Sequence, residues 1–524
     1  MAKSKYGGKK IKFIEEQLWK NPKLTITDAT HLMCEEFGLT YTESMRKSIN
    51  KRLVKQEKVN GRVVESPDFA KAKKKKFDKR KNTFILTWAQ NATPVHENFW
   101  NNILAYKEDT NANLHVIAGR YKNPTSNFSM KNQSDEWWDE KVLPYLDANR
   151  HNIHELLQVL SDVKVQPTAA QPLTGFNGFT ALESCIIGHP RQHLKSLPVL
   201  EGYPSKLLLS TGACTLSNYT DSKAGKKGDF HHMLGFVIVE LDGDNFHIRQ
   251  VNADEDGNFY DVYKRGLGGE IVDNEEGMDA VILGDVHVRH NDEKVTKAAF
   301  ELIKKMKPEN IIIHDVSEME SILHWDEKNP FRLLQKEEQG LDNLEEEIEG
   351  VMEWLDSHKD FGHIVIARSN HDDMLDRWLM HTDWRKAKNK KMYLKLSNIL
   401  AESRNAQVKG ILPHLIDERF GDKITTLSLD DSFRVHGWEL AMHGHLGANG
   451  SRGGHNQFKN LNTKNIVGHG HHPHREDGHI MVGTLSHLRV GFNRGPSNWM
   501  NSLGGIYPDG KAQLIHIIKG KVCR

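Results

Sequence analysis

Cysteine is scarce in this 524-residue chain: Cys34, Cys185, Cys214 and Cys523 stand far apart, with no C-x-x-C pair. That excludes a disulfide framework and a thiolate zinc site, and it fits a reducing compartment. No apolar run approaches the roughly 18 residues a membrane span needs, so no membrane partner is expected. The opening M-A-K-S-K-Y-G-G-K-K lacks the apolar stretch of a secretory signal, which makes the cytoplasm the expected location. A phosphate loop is missing too, since A-G-K-K-G-D at 224–229 has the wrong spacing. Net charge is only +1, yet residues 1–82 hold 22 Lys and Arg against 10 Asp and Glu, a surplus of +12 that leaves 1 − 12 = −11 for the remainder. A basic head on an acidic body points to a polyanionic partner; a solvated tail that aids solubility reads as well from charge alone.

At this length two or three domains are expected. In the head, Ile11, Ile14 and Leu18 recur at helical spacing before Asn21-Pro22. A second helix is predicted from after Thr27 to Gly38. Thr40 and Glu43 read as a capping box opening a third, with Met45, Ile49 and Leu53 on one face. The other face carries Arg46, Lys47, Asn50, Lys51, Arg52 and Lys55. Residues 1–60 therefore read as a basic helix-turn-helix-like domain whose last helix suits a DNA groove, with a protein-docking bundle as the alternative. Residues 61–82 read as a basic linker in which Lys73, Lys74, Lys75 and Lys76 can neutralise phosphates. Residues 83–275 read as an α/β domain of unreadable chemistry, with a hairpin turning at Asp242-Gly243. Residues 331–358 read as an acidic amphipathic helix.

From 276 onward one pattern repeats: an apolar strand stops at a residue that can bind metal. D-A-V-I-L-G-D-V-H ends in Asp285 and His287, and N-I-I-I-H-D ends in Asp315. H-I-V-I-A-R-S-N-H-D ends in Asn370, His371 and Asp372, and W-E-L-A-M-H-G-H in His443 and His445. V-G-H-G-H-H-P-H-R, 467–475, holds His469, His471, His472 and His474 where glycines and a proline forbid a regular helix. One such strand end is commonly a capped turn; five together point to a two-metal site. Carboxylate and imidazole without thiolate suit Mn, Fe or Zn.

These motifs resemble those of the calcineurin-like metallophosphoesterases, with D-x-H, G-D, G-N-H-D, H and G-H-x-H in the same order over residues 279–490. The resemblance implies an α/β fold for 276–524, a two-sheet sandwich flanked by helices, and two divalent metal ions, Mn before Fe or Zn. It implies Asp285, His287 and His471 on the first ion, Asn370, His443 and His469 on the second, and Asp315 between them. His443 is preferred to His445 because the family uses the first histidine of H-G-H. His371 would stabilise the phosphate or protonate the leaving oxygen, oriented by Asp372. His314 and Ser369 stand where the family has glycine, and neither removes a ligand. The whole layout, including T-G-A-C-T-L-S-N-Y-T at 211–220 and G-F-N-R-G-P-S-N-W at 491–499, is similar to metallophosphatase-type DNA-degradation proteins of large tailed phages. The expected activity is thus phosphodiester hydrolysis on DNA by metal-activated water in the host cytoplasm, with DNA as partner and self-association open. Arg475, Arg489 and Arg494 are candidates to steer the strand. The alternatives are a phosphoesterase on nucleotides or phosphoproteins, and a DNA-binding protein with a vestigial site.

Overall fold

The computed structural model of the chain describes residues 9–10, 13–14, 16–17, 25–53, 58–59, 62–63, 75–121, 137–385, 387–491 and 493–523. In the head, α1 (Ile26–Glu36) and α2 (Glu43–Leu53) pack Ala29, Met33, Cys34, Met45 and Ile49 with Ile14 into a small core. Thr25 and Asp28 make a capping box for α1, and Gly38, at φ 59°, follows the helix end. The cap of α2 is Thr42 rather than Thr40: its hydroxyl takes the Met45 N–H at 3.2 Å, while Glu43 pairs with Arg46. Ile11, Leu18, Lys55, Lys73 and Lys74 lie outside the described residues, as do the side chains of Asn50, Lys51 and Arg52.

The expected linker is already docked by residue 75. The Lys75 ammonium donates to the carbonyls of Leu143 and Pro144, its N–H to Asp147, and the Phe77 ring packs 5.2 Å from Phe84. Lys75 is therefore committed to the fold and is not a free phosphate contact.

Three mixed sheets dominate the body. The first has the order β10-β9-β1-β2-β3 and is built from β1 (Thr83–Gln90), β2 (Asn113–Gly119), β3 (Leu146–Asp147), β9 (Gly235–Asp242) and β10 (Asn245–Asn252), with α3 (Glu97–Asp109) on its outer face. The hairpin β9–β10 turns at Gly243, as the sequence indicates. A six-stranded sheet follows the same plan, β17-β16-β15-β14-β23-β24, from β14 (Ala280–Asp285), β15 (Asn310–His314), β16 (His363–Ala367), β17 (Ile424–Thr426), β23 (Ser502–Ile506) and β24 (Ala512–His516).

The third sheet has ten strands, β18-β19-β20-β22-β21-β7-β8-β6-β5-β4. Five come from the middle of the chain: β4 (Arg150–His154), β5 (Leu157–Leu160), β6 (Ser184–Ile187), β7 (Leu194–Leu197) and β8 (Lys206–Ser210). The other five are β18 (Arg434–Val435), β19 (Trp438–Glu439), β20 (Lys464–Val467), β21 (His474–Glu476) and β22 (His479–Met481). Antiparallel pairing of β7 with β21 carries this sheet across the boundary expected at 275/276.

Period-two alternation assigns each strand two faces. Ala280, Ile282, Ile312, Val365 and Leu514 point inward and share one core with Trp438, Ile466 and Ile480 of the long sheet and with Leu86, Val237 and Ile248 of the first. The alternate residues Val281, Leu283, Ile311, Ile313, Ile364 and Ile366 meet the outer helices. Those include α5 (Glu293–Met306), and the 331–358 segment is two helices, α6 (Pro330–Gln339) and α7 (Leu344–His358). Gly340 at φ 67° breaks them and Asn343 caps the second. α8 (Asp372–His381) begins at the last residue of the third motif. Among the described residues no helix is long and apolar enough to cross a membrane.

Candidate metal centre

The C-terminal ends of β14, β15, β16 and β20 converge at the sandwich edge, where open α/β sheets place their sites. Past the strand ends the backbone stays zipped: Val286 N–H donates to His314 O (3.1 Å) and His287 N–H to Asp315 O (2.9 Å). Gly468 N–H donates to His443 O at 2.8 Å, which joins the fourth motif to the fifth. His287, Asp315, His469 and His471 all sit at positive φ, 46°, 47°, 66° and 55°. Such non-glycine conformers cost about 1–3 kcal/mol each and cluster where side-chain aim matters more than stability.

Asp285, His287, Asp315 and His471 are buried and bring one ligand atom each to within 4.8 Å of one another. His471 Nε2 lies 2.6 Å from Asp285 Oδ2 and 3.0 Å from His287 Nε2. The neighbouring group is looser. His443 Nε2 lies 3.1 Å from Asn370 Oδ1 and 3.5 Å from Asp315 Oδ2, and the His469 ring centre is 5.1 Å from that of His443. Asp315 thus touches both groups. The backbone N–H of His469 donates to Asp285 Oδ1 at 3.0 Å, and Gly468 is needed because a Cβ there would lie 2.4 Å from that oxygen. His445 turns instead toward Asp373, 3.8 Å away.

The electrostatics are those of buried carboxylates short of positive charge. Burial, with Asp285 adding to it, pushes Asp315 up to about 8 despite His287. Burial opposes charge on His287, but Glu318, Asp315 and Asp285 overcome it and push the imidazole up to about 10. Burial holds His443 well below its usual range and His469 down to about 4, so both offer lone pairs. Asp315 Oδ1 is buried with no hydrogen-bond partner among the described residues. Orphaned carboxylate oxygen beside neutral imidazoles is a donor set that suits Mn, Fe or Zn.

Glu318 was not anticipated. Its carboxylate lies 2.7 Å from His287 Nδ1, and its carbonyl accepts from His371 Nδ1 at 2.8 Å. His371 is therefore oriented by Glu318 and not by Asp372. Asp372 accepts the Ser369 N–H at 2.9 Å and starts α8; burial and Asp315 push it up to about 7. The only sequence trace of Glu318 is its place three residues past Asp315, in H-D-V-S-E.

His472 and His474 turn away from the centre and join His455 and His479 in a second histidine cluster: His455 bonds His479 (3.1 Å) and His472 (3.2 Å) and stacks on His474. Of the three arginines, Arg475 is buried and donates to Ala512 O, and Arg489 is spent on the carbonyls of Val199 and Gly495; neither can steer a strand. Arg494 is exposed. In the head, Arg46 is paired with Glu43 and Lys47 is exposed, as is Lys76 at the docked segment.

No protein-family model matches this chain, and no solved structure matches it. Protein A1 of Escherichia phage T5 is 30% identical over 468 residues, covering 84% of this chain and 83% of that protein.

Proposed function

The chain belongs to the family of protein A1 of Escherichia phage T5, and from that premise we propose that it is a metal-dependent phage enzyme, a dinuclear phosphodiesterase that hydrolyses DNA. The observation that carries this reading is the buried Asp285–His287–Asp315–His471 group, with Asn370 and His443 beside it and Asp315 within reach of both.

Two divalent ions held there would polarise a phosphodiester and bring the pKa of water near neutrality. The protein's own residues do the rest. Asp285, His287 and His471 would hold the first ion, Asn370, His443 and His469 the second, and Asp315 would reach both. Asn370 offers a neutral amide oxygen, which adds no charge where an anionic phosphate must enter. His371 donates its Nδ1–H to Glu318 O, which leaves the Nε2 lone pair free to take the proton released by the attacking water and pass it to the leaving oxygen. Glu318 fixes both His287 and His371 and so keeps both rings in register.

DNA as substrate is supported by the surplus of +12 in residues 1–82 and by the exposed Lys47 on α2. The test is the full chain with Mn²⁺ on linear duplex, circular duplex and p-nitrophenyl phosphoesters side by side. Cleavage of duplex supports the reading. Turnover of the chromogenic esters with both DNAs intact would move it to a small-substrate phosphoesterase.

A further inference from the structure

The sheet orders repeat within the chain. The first sheet, β10-β9-β1-β2-β3, and the six-stranded sheet, β24-β23-β14-β15-β16 with β17 added, agree strand for strand in sequence order and in parallel or antiparallel sense. The long sheet reads the same from both ends, β4-β5-β6-β8-β7 against β18-β19-β20-β22-β21, and its halves meet at the Leu194–Arg475 pair. Connections outside the strands match as well. Cys214 N–H donates to Trp88 O at 2.9 Å as Leu485 N–H does to Asp285 O at 3.0 Å. His96 N–H donates to Cys214 O as Asp292 N–H does to Leu485 O, and His96 and Asp292 cap the equivalent helices α3 and α5. S-C-I-I-G-H, 184–189, is the counterpart of K-N-I-V-G-H, 464–469.

This register shows what became of the metal site in the first copy. Trp88 stands at the position of Asp285, Gln90 at His287, Ala118 at Asp315 and Arg191 at His471; only His189 keeps the residue type, at the position of His469. The indole takes the place of the carboxylate: a Cβ on Gly188 would lie 2.7 Å from Trp88 Cδ1, as one on Gly468 would lie 2.4 Å from Asp285 Oδ1. Of the lost ligand positions, Arg191 faces the second copy. Arg191, His193 and His231 surround Asp477 at 3.3, 3.3 and 3.1 Å, in the turn between β21 and β22. Val199 exchanges both backbone hydrogen bonds with Ser497, two residues before Trp499, whose ring packs 4.0 Å from His471.

We propose that residues 83–252 are a duplicated copy of the 280–516 unit that lacks the equivalent of its dinuclear centre, fused to it as the partner half of an internal pseudo-dimer. Its task is to position the 468–499 loops around one dinuclear centre per chain. Arg191 is the positioning residue. The ion count rests on the metal reading above; the duplication does not.

Elemental analysis of the full chain after saturation with Mn²⁺ and gel filtration should find two ions per chain, and none in Asp285→Asn/Asp315→Asn. Four ions, or ions that survive in that variant, would overturn the proposal. The second measurement is independent of metal. In Arg191→Met, amide exchange should speed up across 468–500 and stay unchanged in β1 and β2, with protection restored in Arg191→Lys. Unchanged exchange in 468–500 would refute the positioning role. An ion-free wild type would sink the metal reading alone, and the exchange result would still decide the partner role.

Discussion

Gly468 and its counterpart Gly188 allow one perturbation to be applied twice, once at the candidate metal centre and once at the matching place in the first copy. An alanine at 468 would place a Cβ 2.4 Å from Asp285 Oδ1 and 2.9 Å from His314 Cβ; an alanine at 188 would place one 2.5 Å from Ile117 Cγ2 and 2.7 Å from Trp88 Cδ1. Real Cβ atoms do not come so close, so a neighbour must move in both cases, at a cost of about 1–3 kcal/mol for overpacking a filled interior. The two variants should therefore lose similar stability. They should differ in metal binding, because only at 468 does the displaced atom belong to a ligand carboxylate. Ligand misplacement is at least as harmful as loss of a supporting contact, which costs about 10–100-fold in affinity. The assay is Mn²⁺ affinity by competition with a chelator, with thermal unfolding measured on the same samples. Equal Mn²⁺ affinity in Gly468→Ala and Gly188→Ala would refute the assignment of Asp285 as a ligand, and weakened binding in Gly188→Ala alone would refute the equivalence of the two copies.

Three further outcomes are expected. Glu318→Leu removes the carboxylate 2.7 Å from His287 and should weaken Mn²⁺ binding about 10–100-fold; affinity within twofold of wild type by the same competition assay would show that Glu318 does not support the site. His371→Ala should keep both ions yet lose about 10²–10⁴ in turnover, read as steady-state hydrolysis of DNA, and full activity would remove His371 from the chemistry. Burial opposes the charge on Asp477, but His193 and His231 hold its carboxyl well below the ordinary range. A folded value below the unfolded one, about 3.9, gives stability that is present above that pH and fades as pH falls toward the folded value. Asp477→Asn should accordingly destabilise by about 1–3 kcal/mol at pH 7 and progressively less below about pH 4; a loss in denaturant unfolding that does not change with pH would contradict the ion pairing.

The candidate ligands were legible because each follows an apolar strand, and the parallel order of those strands brings their ends to one edge. Asp285, His287, Asp315 and His471 needed no knowledge of partners to be singled out. Glu318 escaped because it follows a turn, at the residue before Met319 with its φ of 51°, and nothing local separates it from the acidic surface residues nearby. The boundary expected at 275/276 follows from composition, whereas the pairing of β7 with β21 joins residues some 280 positions apart and leaves no local trace. The duplication was hidden for a related reason. Its sheets are kept by alternating apolar residues, which many sequences satisfy, while the ligands that would have announced a second site had become Trp88, Gln90, Ala118 and Arg191. Lys75 read as linker because four lysines in a row look solvated, yet its ammonium caps two carbonyls.

Anomalous diffraction at the manganese edge from Mn²⁺-soaked crystals tests the central claim most directly. Two peaks about 3.5–4 Å apart are expected, with Asp315 between them, Asp285, His287 and His471 around one and Asn370, His443 and His469 around the other. Peaks elsewhere in the molecule, or none at this edge of the sandwich, would contradict it.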